Sequence, residues 1–458
     1  MVFERKMVKP HVLVLPYPAQ GHVIPLMELS QCLANDGIKV TFVNTEFCHQ
    51  RVVKSMSNKG NHIHETIDLV SIPDGMEPWE DRSDLGKLTE TSAKVMPGNL
   101  EALIMEINAK GRDEITCVVS DYWLGWSMEV AERFGVKRVG FVPASVAMSA
   151  LSMNVQKLVD DGIVDSNGTP FKKQVIELAP GMPGINTTNL AWMTIGDFTT
   201  QKIIFQFMKD NIKSINLAER VICNTSHELE PAALAYVPNW STIGPLLASK
   251  RLGSTVGHFW TEDSACLDWL DEQPPRSVIY VAFGSFTVFD QTQFQELALG
   301  LEGTNRPFLW VVREDTAKSY PEGFEQRVEN RGKIVGWAPQ QKLLAHPSVS
   351  CFVSHCGWNS TIEGVSNGVR FLCWPYFADQ FIDESYICDY WRVGLKLDKD
   401  ESGIITQKEI KNKVEQLLSD EIMKRRAFEL QKKALDCVAE GGSSHKNFQD
   451  FVDWIKGK

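Results

Sequence analysis

The chain has 458 residues, 43% hydrophobic and 23% charged, an ordinary globular composition on a length beyond what one core supports, so two domains are expected. A formal net charge of -11, from 47 Lys and Arg against 58 Asp and Glu, argues against general affinity for nucleic acid or an anionic membrane. No apolar run approaches the roughly 18 residues of a membrane span, the start MVFERKMVKPHVLVLP lacks the pattern of a secretory leader, and ten Cys without a C-x-x-C pair read as buried free thiols, so a cytoplasmic monomer is expected.

In chain order, short β-branched runs (HVLVLP, KVTFVN, TIDLVSI, ITCVVS, KRVGFV) alternate with helical patterns such as HVIPLMELSQCLAND and SMEVAERFG. This alternation predicts right-handed β-α-β crossovers and a parallel sheet. RVICNT and STIGPL read as the last strands of that unit, after which LASKRLGSTVGHFWTEDS breaks the rhythm. The alternation restarts with SVIYVAFGS and continues through RPFLWVV, KIVGWA, SCFVSH, RFLCWP and VGLKL. The expected organisation is a first domain at 1–245, a linker at 246–262, a second domain at 263–438 and a terminal helix at 439–458. Phe448, Phe451, Val452 and Ile455 form an apolar stripe on that helix at i, i+3, i+4, i+7, and packing back on the first domain would bury it. The fold class is α/β, two doubly wound Rossmann-like domains facing across a cleft, with ligands expected at the carboxyl ends of the strands.

The chemistry-bearing residues cluster at 337–380, WAPQQKLLAHPSVSCFVSHCGWNSTIEGVSNGVRFLCWPYFADQ. In SCFVSHCGWNSTIEG, a strand ends at His355, Gly357 permits a tight turn, and Trp358-Asn359-Ser360 opens a helix, so backbone N–H groups and the helix dipole offer an anion site. Taken alone, Asn359 or Ser360 reads equally as an N-cap. Glu363 near the start of that helix can accept two ribose hydroxyls, or simply stabilise the dipole. Trp337 follows the strand KIVG and offers an aromatic face for a nucleobase, though an isolated Trp more often belongs to a core. Asp379 and Gln380 end another strand segment and can hold vicinal sugar hydroxyls. Together these describe a nucleotide-sugar site.

This segment resembles the signature box of plant family-1 UDP-glycosyltransferases in its length, WAPQ start, HCGWNS centre and DQ end. PAQGHVIPL, VVSDYW, NTSHELE and VAFGS extend the resemblance over nearly the whole chain. It implies a GT-B fold and inverting transfer from UDP-glucose, a co-substrate and not a resident cofactor, to a small lipophilic acceptor. Trp337 would stack on uracil with the Ala338 backbone bonded to it, and Gln340 and Glu363 would hold the ribose. Ser285, His355, Gly357, Asn359 and Ser360 would hold the diphosphate, and Trp358, Asp379 and Gln380 the sugar. The terminal Gln of the box is similar to that of glucosyltransferases. Two positions depart from the pattern: Ser350 stands where Gly is common, and Arg370 replaces the Pro of GVP, which puts the placement of the loop ending at Gln380 in question.

For catalysis, His22 follows the first strand at a helix start and suits a general base, with Asp121 at the end of TCVVS as its carboxylate partner, as in the family. Asp398-Lys-Asp400 reads as a solvated turn and not a metal site, and the helix-start donors at 355–360 imply no metal requirement. Trp123, Phe141, Met148, Met193 and Phe198 are apolar residues near strand ends or in loops and are candidates for the acceptor pocket, although each taken singly reads as core. Flavonoids, phenolics and terpenoids are all compatible acceptors. A nicotinamide-dependent oxidoreductase is disfavoured because PYPAQGH lacks G-x-G-x-x-G. A catalytically silent UDP-sugar binder, or a transferase using another UDP-sugar, is the alternative.

Overall fold

The computed structural model describes residues 9–57, 65–111, 113–246 and 257–458; residues 247–256 of the expected linker lie outside them. Among the described residues the strands, in chain order, are β1 (His11–Leu15), β2 (Lys39–Thr45), β3 (Ile67–Ile72), β4 (Cys117–Asp121), β5 (Lys137–Val142), β6 (Val175–Ile176), β7 (Ile185–Asn186), β8 (Arg220–Cys223), β9 (Trp240–Thr242), β10 (Val278–Ala282), β11 (Phe308–Val311), β12 (Gly332–Val335), β13 (Val349–Ser354), β14 (Arg370–Cys373) and β15 (Gly394–Lys396). Two compact units form, each around one parallel sheet, giving the α/β, GT-B type of architecture.

The first unit holds a seven-stranded sheet in the order β3-β2-β1-β4-β5-β8-β9. All five residues of β1 and of β4 are buried, as central strands of a parallel sheet require. Strand order reverses between β1 and β4, whose register pairs Val14 with Val119 and Leu15 with Ser120. At such a reversal the connections leave in opposite directions and open a crevice at the strands' carboxyl ends.

Residues 437–458 also belong to this unit. On the helix Ser443–Lys456, Phe448, Phe451, Val452 and Ile455 are buried in one core with Val12, Leu26 and Ile222. Lys137 Nζ lies 4.8 Å and the Arg220 guanidinium 5.0 Å from the Trp454 ring, so basic groups border the helix's aromatic flank.

The second unit comprises residues 175–189 and 260–436, with a six-stranded parallel sheet in the order β12-β11-β10-β13-β14-β15 that reverses between β10 and β13. The expectation of an unbroken first domain over 1–245 is corrected here: residues 175–189 form the antiparallel β6-β7 ribbon, and Ser385 Oγ donates to the Gly184 carbonyl at 3.3 Å. That segment groups with the second unit despite its place in the chain.

Both departures from the family box have structural partners. Ser350 is buried in β13 and its hydroxyl donates to the Val278 carbonyl at 2.8 Å. Arg370 opens β14 with its side chain buried, and Nη1 donates to the carbonyls of Leu417 at 2.7 Å and Leu418 at 3.2 Å. These are end carbonyls of the helix Gln407–Ser419, which have no partner within the helix, so the guanidinium caps it. The substitution therefore supplies a helix cap.

The ten cysteines are all free thiols, nine buried and Cys388 half-buried. No helix among the described residues is long and apolar enough to cross a membrane.

Candidate active site

In the first unit, β1 runs into the helix Gln20–Asn35, whose cap residue Ala19 supplies no side-chain oxygen. His22 sits in its first turn, and Nδ1 lies 2.7 Å from Asp121 Oδ2 at the end of β4. The two residues are 99 positions apart in sequence and meet because β1 and β4 are neighbours at the order reversal. Asp121 is fully buried, while a quarter of the His22 side chain is exposed. A carboxylate only accepts, so Nδ1 is assigned the proton and Nε2 presents its lone pair. The other carboxylate oxygen accepts from the Trp123 backbone N–H at 3.0 Å, which fixes its orientation. The Tyr17 ring lies 5.2 Å from the imidazole, and burial, reinforced by the Asp121 charge, pushes its phenol up to about 12. Tyr17 thus stays neutral beside the pair.

In the second unit, the order reversal between β10 and β13 brings Gly284-Ser285 beside His355. Gly284 has φ +67°, and a Cβ there would lie 2.6 Å from His355 Nε2. A Cβ on Gly357 would lie 2.7 Å from the same atom, so two glycines enclose the imidazole and neither tolerates a side chain. Burial pushes His355 down to about 4, opposed by the nearby Ala282 backbone and reinforced by the Arg313 charge, so the ring is neutral at physiological pH. Beside it, the helix Trp358–Ser366 starts from Gly357, a cap with no side chain to close the first turn. Arg313 is buried and donates from Nη1 to the Gly284 carbonyl at 2.7 Å, which places a cation by the same turn.

Around that helix a polar network joins three elements, β10, the helix Gln340–Leu344 and the helix Trp358–Ser366 itself. Tyr280 Oη donates to Gln340 Oε1 at 3.0 Å, and Gln340 Nε2 donates to Ser360 Oγ and to Glu363 Oε2, each at 2.8 Å. Gln341 Nε2 donates to Glu363 Oε1 at 3.2 Å. Burial pushes the Glu363 carboxyl up to about 7, with the two glutamines opposing and the Glu262 charge reinforcing the shift. Trp337 is half-buried with one face stacked on Trp260 at 4.8 Å, and its carbonyl accepts from the Asp263 N–H at 2.8 Å. Ala338, next to it, is buried.

The remaining expected residues fall in varied settings. Trp358 is buried against Tyr386 and Trp391, and Asn359 is half-buried at the second helical position. Asp379 occupies the N-cap position of the helix Gln380–Ser385 without a side-chain capping bond, following Ala378, whose φ of +57° is unusual for a residue with a side chain. Gln380 Oε1 accepts from the N–H groups of Tyr376 at 2.7 Å and Phe377 at 3.1 Å, so its NH₂ is the donor end.

Of the acceptor candidates, Trp123 lies beside Asp121, Met148 is buried, Met193 is half-buried, and Phe198 is exposed at a helix start. Phe141 is fully buried in the first unit's core and offers a ligand no surface without repacking, which corrects its inclusion. Asp400 Oδ1 accepts from the N–H groups of Ser402 and Ile404, the pattern of a turn, and no metal-holding His/Cys/Asp/Glu group occurs among the described residues. Trp260, Tyr280, Arg313 and Gln341 escaped the sequence reading. Their partners lie on other elements, so no local spacing marks them.

Two units built this way, one with a carboxylate-imidazole pair and one with a polar network around a helix start, match known proteins along the whole chain. The chain belongs to the plant family-1 UDP-glycosyltransferases and is a glycosyltransferase. Residues 262–436 match the family model described as UDP-glucoronosyl and UDP-glucosyl transferase. The chain is 46% identical to UDP-glycosyltransferase 83A1 of Arabidopsis thaliana, with 99% of this chain and 98% of that protein covered. Among solved structures it is similar to Os79 of O. sativa in complex with UDP, with a TM-score of 0.81, 28% identity, and coverage of 97% of this chain and 100% of that one. It is likewise similar to Phytolacca americana UGT2 complexed with UDP-2fluoro-glucose and pterostilbene, with a TM-score of 0.81, 25% identity, and coverage of 98% and 100%.

Proposed function

We propose that this chain is an inverting O-glucosyltransferase, moving glucose from UDP-glucose to a hydroxyl of a small lipophilic flavonoid, phenolic or terpenoid. The observation that carries the reading is the 2.7 Å bond between His22 Nδ1 and the buried Asp121 carboxylate. With Nδ1 protonated, Nε2 takes the acceptor's proton as the acceptor oxygen attacks the anomeric carbon from the side opposite UDP. The bond to the diphosphate breaks, and its electron pair leaves with UDP. Asp121 stabilises the imidazolium that forms without itself taking the proton.

For the leaving group, the helix start at Gly357, neutral His355 as a hydrogen-bond donor and the charge of Arg313 supply the stabilisation, together with Ser285, Asn359 and Ser360. We therefore expect no metal requirement. Trp337 and Ala338 hold the uracil, Gln340 and Glu363 the ribose, and Trp358, Asp379 and the Gln380 NH₂ the glucose. Glucose as the sugar is supported by the closing Gln380 and by the donor analogue bound to the Phytolacca relative. Ten cysteines, none in a disulfide, favour a reducing compartment such as the cytosol, and a single chain carries every residue that the reading uses.

The test is a screen of UDP-glucose against flavonoid, phenolic and terpenoid alcohols with and without EDTA, following UDP release and glucoside mass in wild type and His22→Ala. The expected result is EDTA-insensitive product that falls at least about 100-fold in the variant. Unchanged turnover in His22→Ala would remove the assigned base. Donor binding without turnover across the panel would favour a silent binder.

A further inference from the structure

Gln341 is buried at the start of the short helix Gln340–Leu344 and donates from Nε2 to Glu363 Oε1 at 3.2 Å. Its neighbour Gln340 donates to the other oxygen, Oε2, at 2.8 Å. One amide on each oxygen fixes the plane of the carboxylate and leaves both oxygens further acceptor capacity. Gln340 is itself held by Tyr280 Oη and by Ser360 Oγ, so it cannot turn to serve Oε1 as well. The orientation of that oxygen depends on Gln341.

We propose that Gln341 is a positioning residue of the nucleotide site, holding the Glu363 carboxylate in the plane and the ionised state in which it accepts the ribose hydroxyls. The inference rests on the reading of Glu363 as a ribose contact. Charged groups on elements packed against the helix Trp358–Ser366 are Lys342, Arg370, Asp383 and Glu384. The charge that acts on Glu363 is Glu262, which raises its carboxyl. Tyr280 is buried and pushed well above the ordinary phenol value, so it stays neutral and donates. Against burial and Glu262, the bonds from Gln340 and Gln341 are what favour the ionised form, and burial still leaves the carboxyl at about 7. Losing one of the two bonds raises it further.

The test needs no acceptor. UDP binding is measured by calorimetry from pH 5.5 to 9 for wild type, Gln341→Met and Glu363→Gln. Wild type is expected to bind UDP more weakly as pH falls below about 7, and Glu363→Gln to bind weakly with a flat profile. Gln341→Met, of similar shape but without a donor, is expected to bind about 5- to 10-fold more weakly at pH 7 and to move the acid limb up by about 0.5 to 1 unit, with most of the loss recovered at pH 9. Unchanged binding in Gln341→Met, or weakening by one factor at every pH, overturns the proposal. Gln341→Lys supplies a second handle, because an N–H donor with positive charge must move the acid limb down; an upward or absent shift also overturns it. The ribose reading fails separately, if wild type does not bind UDP or if Glu363→Gln binds it as tightly as wild type.

Discussion

At Glu363, the proposed ribose contact, burial of a carboxyl sets stability against ionisation. Its carboxyl is pushed up to about 7 by burial, against roughly 4.3 for an exposed glutamate. With the folded value above the unfolded one, the native state binds the extra proton between those two values, so stability is fully present below about pH 4.3 and is lost as pH rises through 7. Glu363→Gln removes the ionisation. The ligand-free stability of Glu363→Gln relative to wild type is therefore expected to grow between pH 5 and pH 8, by up to about 3 kcal/mol, as measured by urea denaturation at each pH. A constant difference across that range would mean that Glu363 stays ionised in the apo protein. The residue type and its place after a strand and tight turn were legible in HCGWNSTIEG, because local spacing dictates them. That both carboxylate oxygens are bonded by two consecutive glutamines was not, since the contact spans more than 20 positions and depends on how the two short helices pack.

At the scale of elements, β14 and the helix Gln407–Ser419 explain why the box tolerates Arg370. A proline there would fix φ and donate nothing, whereas the arginine joins the first residue of β14 to the end carbonyls of the helix Gln407–Ser419. That helix is closed at its other end by Thr406, whose hydroxyl accepts from the Glu409 N–H at 3.2 Å. Arg370→Ala leaves end carbonyls buried and unpaired, an expected loss of about 2 kcal/mol seen as a drop in thermal midpoint. The KM for UDP-glucose is expected to stay within about twofold, because no residue from 374 to 380 hydrogen-bonds the guanidinium among the contacts at Arg370. A large rise in KM with unchanged stability would instead tie Arg370 to the sugar loop. Sequence reading located this departure by pattern but assigned its effect to the neighbouring loop, since the partner helix begins 37 positions later and nothing local announces it.

For the whole molecule, the path of the chain divides into what hydrophobic periodicity encodes and what it does not. The stripe of Phe448, Phe451, Val452 and Ile455 announces a helix that must bury one face, and the first unit's core is where those side chains lie. The transfer of residues 175–189 to the second unit carries no such signal, because a two-residue ribbon is held by backbone pairing that any sequence can supply. Each unit has its own core, so a cavity made in one lowers the stability of that one. Phe451 is fully buried, and Phe451→Ala is expected to cost about 3–5 kcal/mol. Hydrogen exchange should accelerate in β1, β2 and β9 while β10 and β13 retain wild-type protection, and calorimetric UDP affinity should hold within about twofold at temperatures where the first unit remains folded. Equal acceleration in both sheets would show the two cores to be one cooperative unit, and the terminal helix would then support the nucleotide site as well as the unit that it completes.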